Sequence, residues 1–67
     1  MAGYVKRSWL IETRMKKHVT QNELAQACDV TEGMISLIES GKRTPSVKLA
    51  KRIAKYLKFN WVKFFDD

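Results

Sequence analysis

Residues 20–46 read TQNELAQACDVTEGMISLIESGKRTPS, and this stretch decides the fold. Thr20-Gln21-Asn22-Glu23 has the form of a capping box. The threonine hydroxyl takes the Glu23 amide, and the Glu23 carboxylate reaches back to the amide of Thr20. Leu24, Ala25 and Cys28 share one face of the helix so begun. Thr31 is a second N-cap candidate soon after Cys28, which leaves Asp29-Val30 as a very short turn. A helix over about 32–40 follows, with Ile35 and Ile38 as its buried pair and Gly41 as its stop. Lys42-Arg43-Thr44-Pro45 is a loop, because proline forces Thr44 out of the helical region.

Two helices of about eight residues joined by a turn of about three make a helix-turn-helix layout. In that layout the first helix braces against a DNA backbone, and the second presents its N-terminal end to the major groove. Upstream, a helix is expected over about 6–17, with Trp9, Leu10, Thr13 and the stem of Arg14 at helical spacing. It should end near His18-Val19, where Lys16 and Lys17 suit the negative end of the dipole. Downstream, Ser46 caps a helix carrying Val47, Ala50, Ile53, Ala54 and Leu57 on one face. Asn60 caps a short last helix with Trp61, Phe64 and Phe65 apolar. With three glycines, one proline and no strand-like alternation, the chain reads as all-α.

Sixty-seven residues allow one small domain, taken as 1–67. Hydrophobic residues at 45% and charged ones at 30% place it among globular chains, not disordered ones. A single cysteine, Cys28, excludes an internal disulfide framework and any multi-cysteine zinc site. It also fits a reducing compartment. No apolar run approaches the roughly 18 residues of a membrane span, and MAGYVKRSWLIETR has no signal-peptide core. A cytoplasmic location is expected. Enzyme chemistry finds no support: His18 stands alone, the carboxylates are scattered, and no glycine loop could cradle a phosphate. No metal, cofactor or small-molecule substrate is expected.

The net charge of +6 is unevenly placed. Residues 1–40 hold five basic and five acidic groups. Residues 41–67 hold eight basic groups against Asp66 and Asp67 alone, so the whole excess lies there. Such a field favours polyanions, nucleic acid before an anionic membrane. Lys48, Lys51, Arg52 and Lys55, continued by Lys58, form one basic stripe at helical spacing.

The same stretch resembles the Cro/C1-type helix-turn-helix family, the xenobiotic-response-element-like regulators of phages and mobile elements. Thr20, Gln21, Leu24, Ala25, Ile35, Ile38, Glu39, Gly41, Lys42, Arg43 and Pro45 match its pattern in register, and the likeness runs from about 10 to 65. It implies a compact five-helix, lambda-repressor-like domain that binds duplex DNA, as a dimer on a palindromic operator. It implies base contacts from Gln21, Thr31, Glu32, Gly33, Ser36 and Leu37, and phosphate contacts from Thr20, Asn22, Lys42 and Arg43. It also implies a structural Arg14–Glu39 pair.

Some residues depart from the family's pattern. Asp29 and His18 stand where glycine is common, which asks a non-glycine residue to take a left-handed backbone. The second helix of the motif has no Arg, Asn or Gln, the usual bidentate partners of guanine and adenine. Glu32 can accept from a cytosine amino group, and Met34 and Leu37, expected to look outward, can touch thymine methyls. The apolar tail of Tyr56, Phe59, Trp61, Val62, Phe64 and Phe65 exceeds what one short helix needs. Trp61, Val62 and Phe65 are therefore expected as a dimer contact. The rival reading is a protein-interaction module, such as an antirepressor, that uses the same fold to bind another regulator.

Overall fold

The computed structural model describes residues 4–66; residues 1–3 and 67, the ends of the expected 1–67 domain, lie outside the described residues. Four α-helices follow in order: α1 (Ser8–Lys16), α2 (Gln21–Ala27), α3 (Glu32–Glu39) and α4 (Val47–Leu57). A 3₁₀ helix, Trp61–Phe65, stands where a fifth α-helix was expected. Five residues are too few to sustain an α-helical nucleus, and the tighter winding serves the packing. It buries Phe64 and leaves Val62 and Phe65 exposed.

Side chains start three of the α-helices. Thr20 Oγ1 accepts from the Glu23 amide at 3.0 Å, Thr31 Oγ1 from the Met34 amide at 3.1 Å, and Ser46 Oγ from the Leu49 amide at 3.1 Å. Only half of the expected capping box forms at α2, because the Glu23 carboxylate accepts the Tyr56 hydroxyl of α4 at 3.2 Å. The exception is α1, whose N-cap residue, Arg7, makes no side-chain cap. The helix accordingly starts at Ser8, two residues later than its periodicity suggests.

A left-handed residue ends each α-helix: His18 (φ 57°), Asp29 (φ 60°), Gly41 (φ 82°) and Lys58 (φ 63°). These residues let the chain reverse and return amides to the last carbonyls, as Val19 does to Arg14 and Val30 to Ala25. The short turn between α2 and α3 depends on Asp29 accepting that conformation.

The core collects Leu10 from α1, Leu24, Ala25 and Cys28 from the α2 end, Ile35 and Ile38 from α3, Ala50, Ile53 and Leu57 from α4, and Phe64. Trp9 meets the rings of Phe59 and Phe64 edge-on, each at 5.2 Å between centroids, and so joins α1 to the C-terminal segment. Two apolar expectations change. Val47 is 49% exposed, because it opens α4 before that helix reaches the core. Met34 packs half-buried against the core and does not face outward. Burial raises the Cys28 thiol above its ordinary range, only partly offset by the nearby Arg52 charge.

Candidate nucleic-acid interface

The outer surface of α3 is built by default. Ile35, Ile38 and Glu39 turn inward, so Thr31, Glu32, Gly33, Ser36 and Leu37 stand exposed. Leu37 is 39% exposed. Gly33 is unusual, because a Cβ built there would meet nothing nearer than Thr31 Oγ1 at 3.9 Å. The fold therefore has room for alanine in the first turn of α3, where glycine costs a helix something short of the roughly 1 kcal/mol of an interior position. Bare backbone on an exposed helix face permits close approach by an outside molecule.

One charged network fixes α3 against its neighbours. Arg14 Nε donates to Glu39 Oε2 at 2.6 Å, and its Nη1 donates to the Val19 carbonyl at 2.8 Å. Gln21, the first residue of α2, donates Nε2 to Glu39 Oε1 at 2.8 Å. The Glu39 side chain is 4% exposed and that of Arg14 12%, so the pair is almost free of water. Gln21 is half-buried, and half of its amide donor capacity is spent inside the protein. Beside it, exposed Asn22 accepts from Gln26 through Oδ1, which leaves its own NH₂ free to donate outward. Thr20 accepts its cap through oxygen and keeps its hydroxyl proton.

The loop after α3 carries Lys42 and Arg43, both exposed, over a buried Pro45. Their amides return to the Leu37 carbonyl, at 3.0 Å from Lys42 and 3.2 Å from Arg43. Gly41 is required twice over: its φ is left-handed, and an added Cβ would overlap the Val5 carbonyl that crosses it. Arg7 completes the loop. Its Nη1 donates to the Ile38 carbonyl at 2.7 Å and to the Arg43 carbonyl at 3.0 Å, while its amide donates to the Glu39 carbonyl at 2.8 Å. In the sequence Arg7 is only one of the five basic groups of residues 1–40. No sequence signal marked it, since the expected helix over 6–17 placed Arg7 inside its first turn and not before it.

Gln21, Asn22, the outer face of α3 and the 42–43 loop thus come from elements locked to one another through Glu39 and Arg7. Trp61, Val62 and Phe65 lie apart from these elements, on the 3₁₀ segment that packs beside α4. There Trp61 is half-buried under the Lys51 ammonium, 5.0 Å from its centroid, and Val62 and Phe65 are exposed. Among the described residues, no group of three or more His, Cys, Asp or Glu is placed to hold a metal, and no helix is long and apolar enough to cross a membrane.

Comparison with known proteins bears on the same region. The helix-turn-helix family model matches residues 10–64. A Bacillus subtilis protein described as an uncharacterized HTH-type transcriptional regulator, YqaF, is 41% identical over 61 residues, covering 91% of this chain and 80% of that protein. An uncharacterized HTH-type transcriptional regulator of Archaeoglobus fulgidus is 43% identical over 49 residues, covering 73% of this chain and 69% of its own length. One from Methanothermobacter thermautotrophicus is 41% identical over 51 residues, covering 76% and 74%. A two-helix motif, a family match over most of the chain and relatives on this scale together place it: the chain belongs to the Cro/C1-type helix-turn-helix family of DNA-binding transcriptional regulators.

Proposed function

We propose that this protein is a sequence-specific repressor of phage or mobile-element type that reads the major groove with α3 and occupies a palindromic operator as a homodimer. Lys42, Arg43, Asn22 and Thr20 hold phosphates and set the register. Thr31, Glu32, Ser36, Leu37 and the spare amide proton of Gln21 face the bases. Gly33 lets the helix backbone lie close to them. The observation that carries this reading is Gly33 itself: the fold leaves room for a side chain there, and the sequence withholds one at a cost in helix stability.

Direct readout by this surface is shallow, since it has no Arg or Asn to pair bidentately with a base. Two-fold symmetry through Trp61, Val62 and Phe65 doubles the half-site and restores specificity. Repression follows from occupying the site and excluding polymerase.

The test is selection on random duplex DNA, followed by binding isotherms on the selected site at several salt concentrations. A two-fold symmetric site is expected, with thymines opposite Leu37. Two cations per subunit, Lys42 and Arg43, give a log–log salt slope of about −3 to −4 for a dimer. Val62→Lys should leave a folded monomer that binds only half-sites. Failure to enrich any duplex, or a selected site bound with unchanged affinity and preference by both Ser36→Ala and Leu37→Ala, would transfer α3 to a protein partner as an antirepressor.

A further inference from the structure

The charge of this protein is not concentrated on the surface just described. The only ion pair among the described residues is Arg14–Glu39, so the five cations of the α4 stripe have no carboxylate partner there. Arg52 and Lys55 border a groove of about 380 Å³ whose other lining residues are Ala27, from the end of α2, and Tyr56. The Tyr56 hydroxyl donates to Glu23 at 3.2 Å and pins the ring between α2 and α4. Arg52 Nη1 donates to the Cys28 carbonyl at 3.4 Å, which ties its guanidinium to the end of α2. None of the residues proposed to touch DNA lines it. Around α4, Arg52 and Lys55 lie opposite the buried Ile53, Ala54 and Leu57, and around α3, Ser36 and Leu37 lie opposite the buried Ile35 and Ile38. Each exposed face is turned away from the core that the two helices share.

We propose that the α2–α4 groove is a second binding surface, for an acidic segment of a protein partner, used while α3 holds DNA. The charged lining is cationic, from Arg52 and Lys55, with Lys48 extending the field along α4, and the Glu23 carboxylate beside it is occupied by the Tyr56 hydroxyl. The floor is apolar, from the Ala27 methyl, the Tyr56 ring and the aliphatic stems of Arg52 and Lys55. A groove of this volume takes one or two side chains, so the segment it fits has a Leu or Phe between Asp and Glu residues. Duplex DNA, which offers phosphates but no apolar side chain, would leave the floor empty. Charge complementarity of this kind steers association and selects the partner.

The experiment uses the full chain, isotopically labelled and bound to its selected duplex. The probe is a short peptide of Asp and Glu around a central Leu-Phe pair, with an Asn/Gln analogue as control. Amide shifts confined to Ala27, Arg52, Lys55 and Tyr56 and their neighbours are expected, without release of the DNA. Lys55→Glu should weaken the acidic peptide at least tenfold and leave the melting temperature unchanged. Lys55→Gln should leave the salt slope for DNA unchanged. Three results overturn the proposal. The first is no shift at millimolar peptide. The second is equal binding of the neutral analogue. The third is a salt slope flattened by about one unit in Lys55→Gln, which would make the stripe a DNA-phosphate contact.

Discussion

Gln21 donates its side-chain amide to the Glu39 carboxylate at 2.8 Å, so the first residue of α2 is oriented by the last residue of α3. The same carboxylate is held by Arg14 from α1. A buried charge therefore serves as the joint of three helices, and removing it leaves Arg14 with little water to replace its partner. Glu39→Gln should destabilise the fold by roughly 3–5 kcal/mol, the range for breaking a buried pair. Thermal circular dichroism should show a drop of well over about 10 °C. Arg14→Met combined with Glu39→Leu should recover much of that loss, because an apolar pair leaves no unpaired charge behind.

Gly33→Ala separates folding from binding. The Cβ has space, so α3 should gain up to about 1 kcal/mol in helix propensity and the melting temperature should rise. Affinity for the selected operator should fall, because the added methyl stands between the helix backbone and the bases. A variant that melts higher and binds as tightly as the parent would show that nothing approaches α3 at this point.

Arg7 links the segment before α1 to α3 and to the loop that follows it. Arg7→Ala frees the carbonyls of Ile38 and Arg43 and unpins that loop. The proposed consequence is a weaker grip on every duplex alike, with base preference retained. Arg43→Ala should behave likewise and flatten the salt slope by about one unit. Arg7→Ala should weaken binding with the slope nearly kept, since Arg7 acts through the loop and not on the phosphates. Binding isotherms at several salt concentrations distinguish the two.

Asp29 and His18 occupy backbone that glycine takes without strain. The left-handed region costs an L-residue about 1–2 kcal/mol, and glycine gives back roughly half of that gain in unfolded-chain entropy. Asp29→Gly and His18→Gly should each raise stability by about 0.5–1 kcal/mol, read by urea denaturation at unchanged m-value. Gly41→Ala should do the opposite and by more, because it combines a left-handed φ with an overlap on Val5.

The capped helix starts and most of the core were legible in the sequence because capping and periodicity are local, whereas the uncapped start of α1 and the placing of Val47 and Met34 were not. Thr20, Thr31, Ser46 and Asn60 all cap as their spacing suggests. Leu24, Ile35, Ile38, Ile53 and Leu57 are buried at their periodic positions. What escaped was nonlocal or competitive. Glu23 had two partners within reach and took Tyr56 over its own helix start. Arg7 satisfies main-chain carbonyls more than thirty residues away, and no periodicity marks an arginine for that task. Lys58 adopts a left-handed turn that its residue type does not announce. The Arg14–Glu39 pair came from family resemblance, since nothing in spacing alone joins those two residues.

Arg7 also lies with its guanidinium carbon 5.8 Å from the centroid of the Phe64 ring. On the ribosome Phe64 emerges long after Arg7, and the ring against which that guanidinium rests is among the later parts to be made. Closing so long a stretch of chain is entropically unfavourable until both ends are available. At seven and eight residues α2 and α3 are too short to hold their shape alone, so the motif and the loop beyond it both wait for the core that α4 and Phe64 complete.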